Sequence, residues 1–231
     1  MNFSFLARYW PFYINGAKNT ILLALFAVVI GTAIGMVIAL MRLSKYRGFR
    51  YFSTAYIEFI RGTPLLVQLF LIYYGLQSVG LRFPDIAWLS KIMGISTADF
   101  MAGVVTLGIN SGAYVGEIFR AGIQAVDKGQ TEAARSLGMG HFMTLRHIII
   151  PQAIRNILPA LGNEFVVVIK ESSIVSIIGI ADLMYRADTV RGNTFQPFEP
   201  LIVAALIYFL MTFPLSKLLA HIERRMHVSE R

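Results

Sequence analysis

The apolar residues of this chain fall in long runs, without the one-face periodicity of a soluble helical domain. No charged residue occurs over 20–41. That run is long enough to cross a bilayer, which takes about 20 residues of helix. Further apolar runs cover about 54–76, 100–118, 157–180 and 201–219. They predict five membrane-spanning helices separated by polar connections. Residues 1–19 are aromatic-rich, with Phe3, Phe5, Tyr9, Trp10, Phe12 and Tyr13. Such rings favour the headgroup level, and Pro11 is expected to interrupt any long helix there. The segment lacks the layout of a cleaved signal peptide.

Composition agrees with that pattern. Hydrophobic residues make up 56% of the 231 and charged residues only 15%, values of a membrane protein. The formal charge of +8 finds its place in the connections. Arg42, Lys45, Arg47 and Arg50 follow the first run directly and put that end in the cytoplasm and the N-terminus outside. With five spans, thirteen of the 21 Lys and Arg fall in cytoplasmic segments and six in external ones, as the positive-inside rule requires. The expected layout is an external interfacial segment 1–19, a transmembrane domain 20–219 holding a cytoplasmic loop 121–156, and a cytoplasmic tail 220–231. Cysteine is absent, so there is no disulfide framework and no thiolate site. The four histidines form no metal-binding pair, and no metal or catalytic residue is assigned.

The central loop is the most patterned stretch. Helix formers lead into Gly138 and Gly140, which permit a sharp turn, and Pro151 precedes a new helical pattern. A plain polar helix–turn–helix between two spans fits this pattern. So does a DNA-binding helix-turn-helix, with Ala133, Ala134, Leu137 and Gly138 at the turn and Thr144, Leu145 and Arg146 after it. Apolar spans on both sides leave no room for the third helix of such a module. The spacing Glu132-Ala133-Ala134, three residues, Gly138, nine residues, Ile148-x-Ile150-Pro151 resembles the signature loop of ABC-importer permeases, with Ile150 where that family usually has Leu. Gln152, Ala153, Pro159 and Asn163 extend the match. The resemblance implies that Glu132, Ala133, Ala134, Gly138 and Pro151 belong to a docking helix seated in a groove of an ATPase subunit.

Polar residues inside the spans are costly in lipid and read first as functional. Glu58 and Arg61 in span two, and Glu117 and Arg120 in span three, are spaced three apart on one helix face and are expected to form structural ion pairs near the cytoplasmic interface. Deeper lie Thr63 with Pro64, Asn110 and Glu164, each roughly 14–16 Å from the cytoplasmic end of its span at helical rise. Pro64 removes a backbone donor and frees a carbonyl that a cavity or partner must satisfy. Three helices thus bring polar side chains to one level, as interhelical glue or as a solute site. Arg61-Gly62-Thr63-Pro64, Ala113-Tyr114-x-x-Glu117-x-x-Arg120 and Gly162-Asn163-Glu164 followed by 169–173 resemble the polar amino-acid branch of these permeases, the histidine/glutamine/arginine uptake family. In that branch the equivalent helices build the substrate pocket, so Thr63, Pro64, Asn110 and Glu164 are its candidate lining.

No phosphate-binding G-x-x-x-x-G-K-[ST] loop, nucleophile elbow or H-E-x-x-H occurs. The chain is therefore expected to be a transport subunit and not an enzyme, with no cofactor of its own and with ATP and Mg on a separate ATPase. The resemblance implies an all-α, type I ABC-importer permease in the bacterial cytoplasmic membrane. Its partners would be an ATPase dimer, a second permease chain (identical or paralogous) and an extracytoplasmic solute-binding protein, with no nucleic acid. The solute expected from Glu164 is a basic amino acid (arginine, lysine or histidine), with glutamine or another polar amino acid as the alternative. A membrane-anchored DNA-binding regulator and a passive channel are the readings from other classes.

Overall fold

The computed structural model describes residues 1–228; the last three residues of the expected tail lie outside the described residues. Every element is helical, with no strand among the described residues. In order they are α1 (Leu6–Leu43), α2 (Arg47–Gly62), α3 (Leu65–Ser78), α4 (Ala87–Met93), α5 (Thr97–Gln124), α6 (Lys128–Ser136), α7 (His141–Thr144), α8 (Ile150–Glu171), α9 (Leu183–Thr194) and α10 (Glu199–Val228). A π-helical turn, Leu145–Ile149, joins α7 to α8, and a 3-10 turn, Ser172–Ile178, extends α8.

α1 and α10 are long and apolar enough to cross a membrane. α2 and α3 qualify together as a third span, broken at Thr63 and Pro64 and bent by 104°. α5 and α8 overlap the two remaining predicted spans but are not uniformly apolar enough to qualify by the same measure, because they carry polar and charged residues such as Asn110, Glu117, Arg155 and Glu164.

Two expectations need correction. Pro11 does not interrupt a helix: α1 is continuous over 38 residues with Pro11 inside it. Pro11 is the sixth residue of the helix, so its missing N–H removes a single bond close to the N-terminal end. The second span is not one rod. Pro64 has an extended backbone, φ −62° and ψ 136°, and so does Thr63, as the residue before a proline prefers.

α1 packs along α5, and the contact is built from small residues. Ideal Cβ atoms placed on Gly31 and Gly35 would lie 2.9 Å from Ser111 and 2.6 Å from Val115, so only glycine lets the backbones approach this closely. From the other side Ile30, Ile34 and Ile38 of α1 rest on Gly108, Gly112 and Gly116 of α5. Such meshing is what holds helices together where lipid is as apolar as the side chains. The Gly31-x-x-x-Gly35 spacing is therefore a packing face.

Beyond α8 the chain is fastened back onto α1. Asn19 Nδ2 donates to the Ala181 carbonyl at 2.9 Å, and the Leu183 N–H donates to Thr20 Oγ1 at 3.1 Å. Asp182 caps α9 by accepting from the Tyr185 N–H at 2.9 Å, and it also accepts from the Tyr208 hydroxyl. These bonds satisfy backbone groups that would otherwise lie bare where the chain leaves the helix.

Candidate functional site: a polar network at the helix break and the central loop

The break between α2 and α3 leaves backbone groups without helical partners. The side chain of Gln68, one turn into α3, fills that gap. Its Nε2 donates to the Ile60 carbonyl at 2.7 Å, to Thr63 Oγ1 at 3.0 Å and to the Thr63 carbonyl at 3.1 Å. Its Oε1 accepts from Asn110 Nδ2 on α5 at 3.0 Å. The Thr63 hydroxyl in turn donates to the Phe59 carbonyl at 2.8 Å. One turn lower, the Tyr56 hydroxyl donates to the Ile109 carbonyl at 2.6 Å. Both halves of the broken span are thus tied to neighbouring residues of α5.

The structure brings Thr63 and Asn110 together through Gln68, while Pro64 is exposed at the bend. Glu164 belongs to a second group on another flank of α5. Its Oε1 accepts from the Ser111 hydroxyl at 2.7 Å, and the residue is only 8% exposed. The neighbouring Asn163 is exposed instead. Sequence reasoning missed Gln68 and Ser111. Both are uncharged polar residues within two turns of chosen positions, and the depth argument applied to Thr63 and Asn110 would have found them.

One ion pair forms as expected and the other does not. Arg120 Nη2 lies 2.7 Å from Glu117, and Arg42 Nε approaches the same carboxylate at 3.4 Å from α1. Arg61, by contrast, makes no ion pair with Glu58. Its guanidinium lies over the Tyr114 ring of α5, 5.4 Å from the centroid, and Glu58 is exposed. The face of an aromatic ring attracts a guanidinium and draws Arg61 across to α5.

The central loop has the expected helix–turn–helix form. α6 is capped by Asp127, which accepts from the Gly129 N–H at 2.6 Å. Its end turns at Gly138, whose φ of 80° is open to glycine. Pro151 stands directly after the π-helical turn Leu145–Ile149, inside a helical run that is unbroken from His141, so its missing N–H removes one bond where the turn passes into α8. Ala134 is buried, whereas Glu132, Ala133 and Gly138 are exposed. Leu137 and Phe142, 83% and 72% exposed, add two large apolar side chains to the open surface of an otherwise polar loop.

Comparison with known proteins agrees with this architecture. The family model described as the binding-protein-dependent transport system inner membrane component matches residues 9–228. A putative glutamine transport system permease of Rickettsia conorii is 40% identical over 98% of this chain and all of its own length. An arginine transport system permease of Bacillus subtilis is 37% identical over 98% of this chain and 97% of its own. A solved structure of an amino acid ABC transporter with histidines superposes with a TM-score of 0.87, at 53% identity, over 97% of this chain and 99% of that one. The fold and loop define a membrane subunit of an ABC importer of type I, a transport component and not an enzyme. The chain belongs to the family of binding-protein-dependent transport system inner membrane components. A DNA-binding regulator finds no support, because the match runs through the spans as well as the loop.

Proposed function

We propose that this chain is the permease of an amino-acid importer in the bacterial cytoplasmic membrane, and that its solute is a basic amino acid. The observation that carries the basic preference is Glu164, a carboxylate at midplane depth that bonds Ser111 through one oxygen and has no cation beside it among the described residues. A dehydrated carboxylate attracts cations and repels acids. The related arginine permease and the histidine-bearing structural relative support this reading. Glutamine is the second reading, favoured by the Rickettsia conorii relative and by the burial of Glu164 against Ser111, which leaves the carboxylate suited to an α-ammonium group.

Five spans, with the N-terminus outside, place Arg47 and α6 in the cytoplasm and Trp88 and α9 outside. Thr63, Pro64, Asn110 and Glu164 are the pathway residues of this reading, and Gln68 positions the first three. Glu132, Ala133, Ala134, Gly138 and Pro151, with Leu137 and Phe142, form the surface for a nucleotide-binding subunit that carries ATP and Mg. A second permease chain completes the pathway, and a solute-binding protein delivers to the outer face. Closure of the ATPase pair moves the loop and opens the midplane alternately to each side.

The test is solute-stimulated ATPase activity of the reconstituted complex with its binding protein. Arginine, lysine or histidine should stimulate more than glutamine, and Glu164→Gln should reduce uptake of the basic solute at least tenfold with normal membrane assembly. Best stimulation by glutamine, together with normal uptake in Glu164→Gln, overturns both the basic preference and the role of Glu164.

A further inference from the structure

A cavity of about 370 Å³ opens at the outer ends of α3 and α5, away from the midplane network. Asp99 on its wall and Asn110 in the network are eleven residues apart on one helix, about 16 Å at helical rise. The size falls within the range of small-molecule pockets. Its polar lining is Tyr73, Gln77, Arg82, Asp85 and Asp99.

These side chains have separate tasks. Asp85 is a fastener: its Oδ1 accepts from the Thr97 N–H at 3.0 Å, the Thr97 hydroxyl at 2.7 Å and the Ser90 hydroxyl at 2.6 Å. That fixes the connection between α3 and α4 to the start of α5 and sets the place of Arg82 three residues earlier. Asp99 accepts from the Tyr73 hydroxyl through Oδ1 at 3.0 Å, which leaves Oδ2 with no bond among the described residues. Arg82 is exposed and forms no ion pair among the described residues. The cavity therefore offers one free guanidinium and two carboxylate oxygens, Oδ2 of Asp99 and Oδ2 of Asp85, against a wall that includes the apolar Leu76, Leu81 and Ala102.

We propose that this cavity is an outer receiving site for the zwitterionic head of an α-amino acid, with Arg82 holding the carboxylate and Asp99 the ammonium group. The inference rests on the reading of the chain as an amino-acid permease and adds to it a second, shallower stop before the midplane. Recognition there is of the head group common to all α-amino acids. The site accepts solutes that differ in side chain and leaves discrimination to the deeper network and the binding protein. A planar guanidinium on a carboxylate gives a two-pronged contact, so removing it should cost about tenfold or more in affinity.

The chain has no cysteine, so a single introduced thiol reports without background. Gln77→Cys lies on the cavity wall, Leu81→Cys is a second reporter on the same wall, and Asn193→Cys on α9 is a distant control. The permease–ATPase complex in nanodiscs, without binding protein, is alkylated with a maleimide while free L-arginine, L-glutamine or agmatine, which lacks the carboxylate, is titrated in. Both amino acids should slow alkylation at 77 and 81 and not at 193, and agmatine should not protect. Arg82→Gln and Asp99→Asn, the latter keeping an acceptor for Tyr73, should each raise the half-protecting concentration about tenfold or more. Absence of protection, equal protection at 193, or protection unchanged by both substitutions overturns the site. Uptake with binding protein in proteoliposomes separates the two readings. Normal uptake without protection refutes the receiving site alone, and no uptake of any amino acid refutes the permease reading beneath it.

Discussion

At the scale of single residues, Gln68 is the side chain on which the break between α2 and α3 depends. It spans three carbonyl or hydroxyl oxygens at the helix break and one amide on α5. Gln68→Leu keeps the volume and removes every one of these bonds, leaving buried groups bare at about 1–3 kcal/mol each. The expected outcome is a lower unfolding temperature in detergent and uptake reduced at least tenfold, with Gln68→Glu also impaired because a carboxylate cannot donate to the Ile60 carbonyl. Asp85 gives the pH response. The Ser90 and Thr97 hydroxyls donate to it and hold its carboxyl below the usual carboxylate range. Its folded value is depressed, so the fastening is complete above the unfolded value near 3.9 and is lost as pH falls through the lower, folded one. The protection of the Thr97 amide against hydrogen exchange, relative to its intrinsic rate at each pH, should therefore stay high at pH 5 and fall in stronger acid, and Asp85→Asn should abolish that dependence.

At the scale of elements, the glycine seam between α1 and α5 is a close helix contact repeated over several turns. A methyl group on Gly35 would meet Val115 at 2.6 Å, so Gly35→Ala must push the helices apart. Overpacking of this kind costs about 1–3 kcal/mol. Thermal unfolding of the purified complex should show that loss, whereas Gly48→Ala, with nothing within 4 Å, should leave stability within about 0.5 kcal/mol apart from backbone propensity. Much of this level was legible in the sequence. The all-helical class, the Gly31-x-x-x-Gly35 face and the turn at Gly138 all follow from local chemistry. What was hidden depends on a partner helix. Arg61 and Glu58 have ideal spacing for a pair, yet Tyr114, fifty-three residues further on, captures the guanidinium. Which flank of α5 Glu164 faces is decided by Ser111. The continuity of α1 through Pro11 reflects position within the helix and not residue type.

At the scale of the whole molecule, the central loop between α5 and α8 leaves Leu137 and Phe142 uncovered. If an ATPase seats on it, Gly138→Val, which forbids the φ of 80°, should abolish uptake while the chain still reaches the membrane. Normal solute-stimulated ATPase activity in that variant refutes the docking surface. Single cysteines at 47 and 88, tested on intact cells with an impermeant reagent, should label at 88 only; the reverse refutes the orientation. The bend of 104° at Thr63 and Pro64 carries one more consequence. A proline break invites the idea of a free joint, but both arms are bolted to consecutive residues of one helix, Ile109 through Tyr56 and Asn110 through Gln68. The joint behaves as a bracket whose angle is set by its backplate. A twist or slide of α5 must swing both arms of the elbow together, which makes α5 the lever and the elbow the pointer that reports its position.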